Sequence, residues 1–230
     1  MLKIASPGAV EPRRSDSRPP RPRRPGSLAL TGSLEMIGAP MTFARNGEIY
    51  GEGEPADYIY KVASGAVRMY KVLDDGRRQI TAFYLPGDIF GFEVGDEHTS
   101  SAEAIGNTIV LVFRRSTVLA LANRDGDVAH ELWAMTAREL HRARSHMLLL
   151  IKSAQERVAA FLLEMAGRMP ASDEVELPMS RQDIADYLGL TIETVSRTLT
   201  QLENSAAIAL PASRRVVLRN RAALQRLNAS

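Results

Sequence analysis

Three side chains in one short stretch have the chemistry to read the edges of DNA bases. Glu193, Ser196 and Arg197 are spaced by three and four, which places them on one face of an α-helix. A guanidinium donates two hydrogen bonds to O6 and N7 of guanine, a carboxylate accepts from N4 of cytosine, and a hydroxyl serves either strand. The same Glu193–Arg197 pair also suits an ordinary surface ion pair, worth about 0.3–0.5 kcal/mol. The surrounding residues favour base reading. Ser180 can cap a first helix with Asp183 three residues on, a capping-box arrangement. Gly189 can stop that helix, because glycine enters a left-handed turn without steric cost. Thr191 can cap a second helix. Ile184, Ala185 and Leu188 line the inner face of the first, and Val195, Leu199 and Leu202 that of the second. Ala185 is small enough for a close crossing. Caps, turn and inner faces agree on a DNA-binding helix-turn-helix.

The totals narrow the remaining classes. The 230 residues leave room for two domains, and the formal charge is only +2. Basic residues concentrate near the N-terminus and around the helix-turn-helix, which fits a nucleic-acid partner. With no cysteine in the sequence, disulfides, thiolate metal sites and iron–sulfur clusters are excluded for this chain. His98, His130, His141 and His146 show no metal-ligand spacing. A metal-dependent oxygenase would need clustered histidines and carboxylates; no catalytic residue, metal site or cofactor is expected. No apolar run approaches the roughly 18 residues of a membrane helix, and no apolar signal region follows Lys3. The expectation is a soluble, cytoplasmic, non-enzymatic protein with no membrane partner.

Four segments support the motif. Residues 1–26, rich in Pro and Arg, read as a disordered basic tail. It is either merely solvated or an aid to non-specific DNA affinity. In residues 27–126, short β-prone runs follow one another at turn-punctuated intervals: 58–62, 66–72, 79–85 and 108–113. They predict an antiparallel β-roll, with the run 108–113 expected to be buried on both faces. A long helix is predicted over residues 127–153. Its apolar residues Trp133, Ala137, Leu140, Ala143, Met147 and Leu150 alternate at spacings of three and four, and Ala154 continues the seam. The seam suits a matching helix from a second copy; the alternative is packing on its own roll. In residues 154–230, a helix over residues 154–169, with Val158, Phe161, Leu162 and Met165 on one face and Pro170 to stop it, and a linker over residues 173–178 precede the motif. A hairpin of residues 208–210 and 215–218 follows as a wing. Arg214 and Arg215 at its tip suit phosphate contacts, or simply an exposed turn. The fold class is therefore α+β: an N-terminal β-roll, a long dimerisation helix and a C-terminal winged helix-turn-helix.

This order of parts resembles the Crp/Fnr family of bacterial transcription regulators from about Ala39 onward. The residues that carry the likeness are Gly53-Glu54-Pro55-Ala56-Asp57-Tyr58-Ile59-Tyr60, Asp75-Gly76-Arg77-Arg78-Gln79, Leu85-Pro86-Gly87-Asp88-Ile89-Phe90-Gly91 and Val112-Phe113-Arg114-Arg115-Ser116. The roll thereby resembles a cyclic-nucleotide-binding domain. Glu193, Ser196 and Arg197 match the Glu-x-x-Ser-Arg of the Fnr and FixK branches, which implies a palindrome of TTGAT and ATCAA half-sites read by a homodimer. The resemblance also implies that Arg181, Gln182, Thr191 and Thr194 touch the DNA backbone. An activator role through RNA polymerase, contacted by roll loops or by residues 170–176, is implied in the same way.

The effector stretch departs from the family. A cyclic-nucleotide pocket there needs a Gly-Glu pair and, a little later, an Arg-Ser or Arg-Thr for the phosphate. Residues 91–102 hold Glu93, Asp96 and Glu97 but no arginine, and a buried phosphate without a cation is strongly unfavourable. The cysteines of an Fnr-type cluster are absent. The expectation is a FixK-like regulator that works without a cyclic-nucleotide or iron–sulfur effector. The alternatives are a family member that takes a small effector in the roll, and a module whose helix-turn-helix binds protein.

Overall fold

The computed structural model describes residues 38–169 and 173–229. The tail expected over residues 1–26 and the helix stop expected at Pro170 lie outside the described residues. The roll comprises β1 (Ala39–Phe43), β2 (Glu48–Tyr50), β3 (Tyr58–Ser64), β4 (Val67–Val72), β5 (Arg78–Tyr84), β6 (Ile89–Phe90), β7 (Ser101–Ala104) and β8 (Thr108–Arg114). They form two four-stranded sheets of order β1-β8-β3-β6 and β2-β7-β4-β5, with antiparallel pairing. Gly65 turns β3 into β4 at φ +83°, and a Cβ there would lie 2.5 Å from the Thr108 hydroxyl oxygen. Glycine is required both by the dihedral angle and by the close approach of β8.

The run 108–113, expected to be buried on both faces, is covered on both over only part of its length. Thr108 and Val110 are buried on one face, Val110 among the roll aromatics, while Phe113 on the opposite face packs with Ile59, Ile89, Val118 and Val128. Ile109, on the same face as Phe113, is exposed, because the cover on that face does not extend to the start of the strand.

Helices α1 (Arg115–Arg124) and α2 (Gly126–Leu149) leave the roll. Asp125 caps α2, accepting from the backbone N–H groups of Asp127 and Val128. The helix predicted over residues 127–153 stops at Leu149. Ser153 then starts α3 (Ala154–Arg168) through a full capping box with Glu156. The signal was present in the sequence as Ser-x-x-Glu ahead of an apolar run. Ala154 is thus the first residue of α3 rather than a continuation of the α2 seam. Trp133, Leu140, Ala143 and Met147 are exposed along α2, with Trp133 at 74%. Leu150 is half-buried in the turn, and its neighbour Leu149 is the buried one.

The C-terminal part adds β9 (Glu174–Glu176), α4 (Arg181–Leu188), α5 (Ile192–Asn204), β10 (Ile208–Ala212), β11 (Arg215–Leu218) and α6 (Arg221–Ala229). Within residues 173–178, expected to be a linker, β9 pairs with β11 and buries Val175 against Val216. Three residues with a single inward side chain give too short an alternation to read as a strand. One apolar cluster spans both halves: Ile80, Phe83 and Leu85 of the roll pack with Phe161, Leu162 and Met165 of α3 and with Tyr187 and Leu188 of α4.

Candidate nucleic-acid interface

The motif is built as its residue types dictate. The Ser180 side chain accepts from the Asp183 N–H, and the Asp183 carboxylate accepts from the Ser180 N–H at 3.0 Å and hydroxyl at 2.7 Å. Gly189 closes α4 at φ +61°, and Thr191 caps α5 by accepting from the Thr194 N–H. Ile184, Ala185 and Leu188 are buried against Val195, Leu199 and Leu202. With its inner face so occupied, α5 turns Glu193, Ser196 and Arg197 to solvent together. Backbone and Thr191 hydrogen bonds at the helix start, then the Arg197 charge, hold the Glu193 carboxyl below its ordinary value. It is an ionised acceptor at neutral pH.

The residues expected on the DNA backbone fall into two groups. Gln182 of α4 and Thr191 at the start of α5 are exposed, and Thr194 is half-buried. Gln182 donates to Asp186 at 2.6 Å. Arg214 is exposed in the wing turn, and Arg215 pairs with Glu174 at 2.8 Å. Arg181 is different: it is half-buried, and its Nη1 is enclosed with no hydrogen-bond partner. Burial lowers its pKa. A phosphate contact by Arg181 requires the side chain to swing outward.

Position and orientation of α4 depend on residues that local pattern does not reveal. Asp183 Oδ1 accepts from Arg68 Nη1 at 3.0 Å and Arg78 Nη2 at 2.7 Å, while Oδ2 serves the Ser180 cap. Arg78 also pairs with Asp186. At the other end of α4, the carbonyl oxygens left without helical donors are taken up from outside. Gln79 donates to Asp186 O, the His146 Nε2–H to Tyr187 O, and Arg157 to Leu188 O. These partners lie up to 115 residues away in sequence. No periodicity argument reaches them.

The roll interior is the second candidate site. Tyr50, Tyr60, Tyr84 and Phe90 fill it, with neighbouring ring centroids 4.9–6.2 Å apart. His98 stacks on Tyr50 at 3.6 Å. The Tyr84 hydroxyl donates to Glu139 of α2 at 2.8 Å. Glu93 accepts from the Thr99 N–H and hydroxyl, so its carboxylate is engaged within its own loop. Among the described residues, no group of three or more His, Cys, Asp or Glu is placed to hold a metal ion. None of the described helices is long and apolar enough to cross a membrane.

An eight-stranded roll, a long helix and a winged helix-turn-helix with an open polar face define a DNA-binding transcription regulator. Known proteins agree: a Crp-like helix-turn-helix domain matches residues 156–227, and a cyclic nucleotide-binding domain matches residues 40–125. The chain is 53% identical over 201 residues to the nitrogen fixation regulation protein FixK of Azorhizobium caulinodans, covering 85% of this chain and 81% of the relative. It is 43% identical to FixK of Rhizobium meliloti, covering 81% of this chain and 85% of that one. The solved structure of FixK2 from Bradyrhizobium japonicum superposes with a TM-score of 0.81 at 53% identity, covering 84% of this chain and 98% of that chain. The chain belongs to the Crp/Fnr family, as a FixK-type regulator.

Proposed function

We propose that this chain, as a homodimer, binds a palindrome of TTGAT and ATCAA half-sites and activates transcription without an effector in its roll. The observation that carries the reading is the joint exposure of Glu193, Ser196 and Arg197 on α5. In this reading those three specify bases. Gln182, Thr191, Thr194, Arg214 and Arg215 position the protein on phosphate, with Arg181 joining them after a side-chain swing. Trp133, Leu140, Ala143 and Met147 of α2 meet their counterparts in a second copy; exposed apolar residues recurring along one helix favour such a partner. The two reading helices then enter successive major grooves about 34 Å apart. The working division is a basic tail over residues 1–26, a roll over 27–126, a dimerisation helix over 127–153 and a DNA-binding domain over 154–230.

Effector independence is supported by the aromatic packing of the roll and by the engagement of Glu93 with Thr99. RNA polymerase is the partner through which activation would run, and a cytoplasmic site of action follows from that partner. The role printed in the relatives' name, regulation of nitrogen fixation, makes promoters of that class the first to examine.

Fluorescence-anisotropy titration of a labelled palindromic duplex at fixed salt, with and without cyclic AMP, tests this reading. Binding to the intact palindrome is expected to be the same in both conditions and to be lost when one half-site is scrambled. Binding that appears only with the nucleotide would favour the other reading, an effector-gated regulator.

A further inference from the structure

The α4 helix is held from outside its own domain, and its attachment to the roll is ionic at one place. The β4–β5 hairpin brings Arg68 and Arg78 to one carboxylate, Asp183, whose side chain is only 3% exposed. Arg68 is itself buried and is turned toward Asp183 by Glu103, which accepts from its Nε and Nη2, and by Asn46. Arg78 donates from Nε and Nη2 to Asp186 as well, and stands over the Tyr70 ring at 5.7 Å. Gln79, the next residue, donates to the Asp186 carbonyl at 2.7 Å. Each oxygen of Asp183 is occupied: one by the helix cap, the other by the two guanidinium groups.

This arrangement does more than add stability. The apolar contact beneath it, Phe83 against Tyr187 at 5.1 Å, is non-directional and tolerates sliding or rotation. Charge-assisted, multidentate hydrogen bonds fix an angle as well as a distance. The helix that receives them is the one against which the reading helix packs.

We propose that Arg68 and Arg78 are positioning residues for DNA recognition. From the roll they hold the start of α4, and through it α5, in the orientation that lets two reading helices of a dimer match one half-site spacing. The assignment rests on the palindrome-reading function proposed above. In an effector-gated regulator a ligand selects the DNA-competent orientation; here the hairpin arginines perform that selection permanently.

The test uses the full chain and Arg78→Gln, with Arg78→Lys as the conservative variant. Arg78 is the more exposed of the two arginines, at 26% of its side chain, so its replacement leaves the buried Arg68–Asp183 pair in place. Urea unfolding confirms that each variant is folded. Affinities are measured for the matched palindrome, for the same palindrome with two base pairs inserted at its centre, and for a duplex with a single half-site. If the competent orientation falls to one-tenth of the population, the apparent Kd rises tenfold. The expected result for Arg78→Gln is a loss of about tenfold on the matched palindrome, little change on the single half-site, and a flattened spacing preference. Arg78→Lys should restore much of that preference.

A second measurement needs no DNA. The sequence has no cysteine, so Val94→Cys on the roll and Gln201→Cys on α5, both exposed sites, accept spin labels cleanly. Their distance distribution, taken with labelled chain diluted in unlabelled chain, should broaden in Arg78→Gln. An unchanged spacing preference or an unchanged distance distribution overturns the proposal. If the wild type shows no preference for the palindrome, the regulator reading fails instead, and the distance measurement still decides the role of the clamp.

Discussion

The roll interior and the outer face of α5 are the two places where this chain has the shape to recognise something, and they are built in opposite ways. Inside the roll, Tyr50, Tyr84 and Phe90 are almost wholly buried, with Tyr84 stacked on Phe90 and Tyr50 tilted against it. Two polar groups there are already engaged, the Tyr84 hydroxyl with Glu139 and Glu93 with Thr99, while both ring nitrogens of His98, enclosed against Tyr50, have no hydrogen-bond partner. On α5 the side chains of Glu193, Ser196 and Arg197 stand in solvent. Recognition needs polar groups whose hydrogen bonds are still on offer, and space for the ligand to reach them. α5 meets both requirements, whereas the unpartnered His98 nitrogens of the roll lack the second, being enclosed by the aromatic packing.

The largest test of this contrast lies inside the roll. Phe90→Ala removes a side chain that is 1% exposed and is expected to cost about 3–5 kcal/mol. Urea unfolding measures it. Half-site discrimination of the folded fraction should be unchanged. A variant that instead gains cyclic-AMP-dependent DNA binding would show that packing alone separates this roll from a sensor, and would break the comparison.

Arg197→Ala should behave in the opposite way. Stability should move by no more than about 0.5 kcal/mol, as for other exposed positions. Affinity for the palindrome should fall by about 1–3 kcal/mol, with relaxed preference at one guanine per half-site. Competition against duplexes substituted at each position reads this. An equal loss on specific and scrambled duplexes would make Arg197 a phosphate contact.

The two regions also differ in how far sequence reasoning reached. The helix-turn-helix was legible because its information is local. Ser180 and Asp183, Gly189, and Thr191 each act within a few residues, and the inner faces follow helical periodicity. The longer strand runs of the roll were legible for the same reason, while β1, β2, β6 and β7 give too little alternation to be seen; α6 has a local signal, Asn220 accepting from the Ala223 N–H, that the sequence reading did not use. The helix expected from Ala154 begins there, capped by Ser153 and Glu156, whereas α2, expected to run to residue 153, ends at Leu149; the heptad-like spacing through Ala154 was the competing pattern. β8 is buried on both faces only in part, because composition does not distinguish Ile109, which is open, from Phe113 on the same face, which is covered. The docking of α4 was not legible at all. Arg68, Arg78 and His146 meet α4 across 41 to 115 residues, and only the closed fold brings them together.

The smallest expected effect concerns pH, and it again divides the regions. His98 lies inside the roll on Tyr50, and His146 stacks on Tyr187 at 4.0 Å where α2 meets α4. Burial lowers the pKa of both; for His98 the Glu93 carboxylate, 3.7 Å away, offsets part of that, and for His146 the Tyr187 carbonyl and Glu164 do so. The folded chain therefore holds fewer protons on these rings than the unfolded chain, whose histidines titrate near about 6.5. Their neutral forms support full stability above that value. As pH falls through it the unfolded state gains protons first, and stability declines until the lower folded pKa values are passed. Between pH 7.5 and 5.5 the Tm should drop by a few degrees, at about 2–4 °C per kcal/mol for a chain of this size. His98→Phe, which keeps the ring stack and removes the titration, should lessen the drop. The reading face carries no group that titrates in this window, because Glu193 is held ionised and arginine stays charged. Half-site discrimination should accordingly be flat over the same range, while the Tm moves. A discrimination that changes in parallel with the Tm would mean that the interior histidines govern the reading helix.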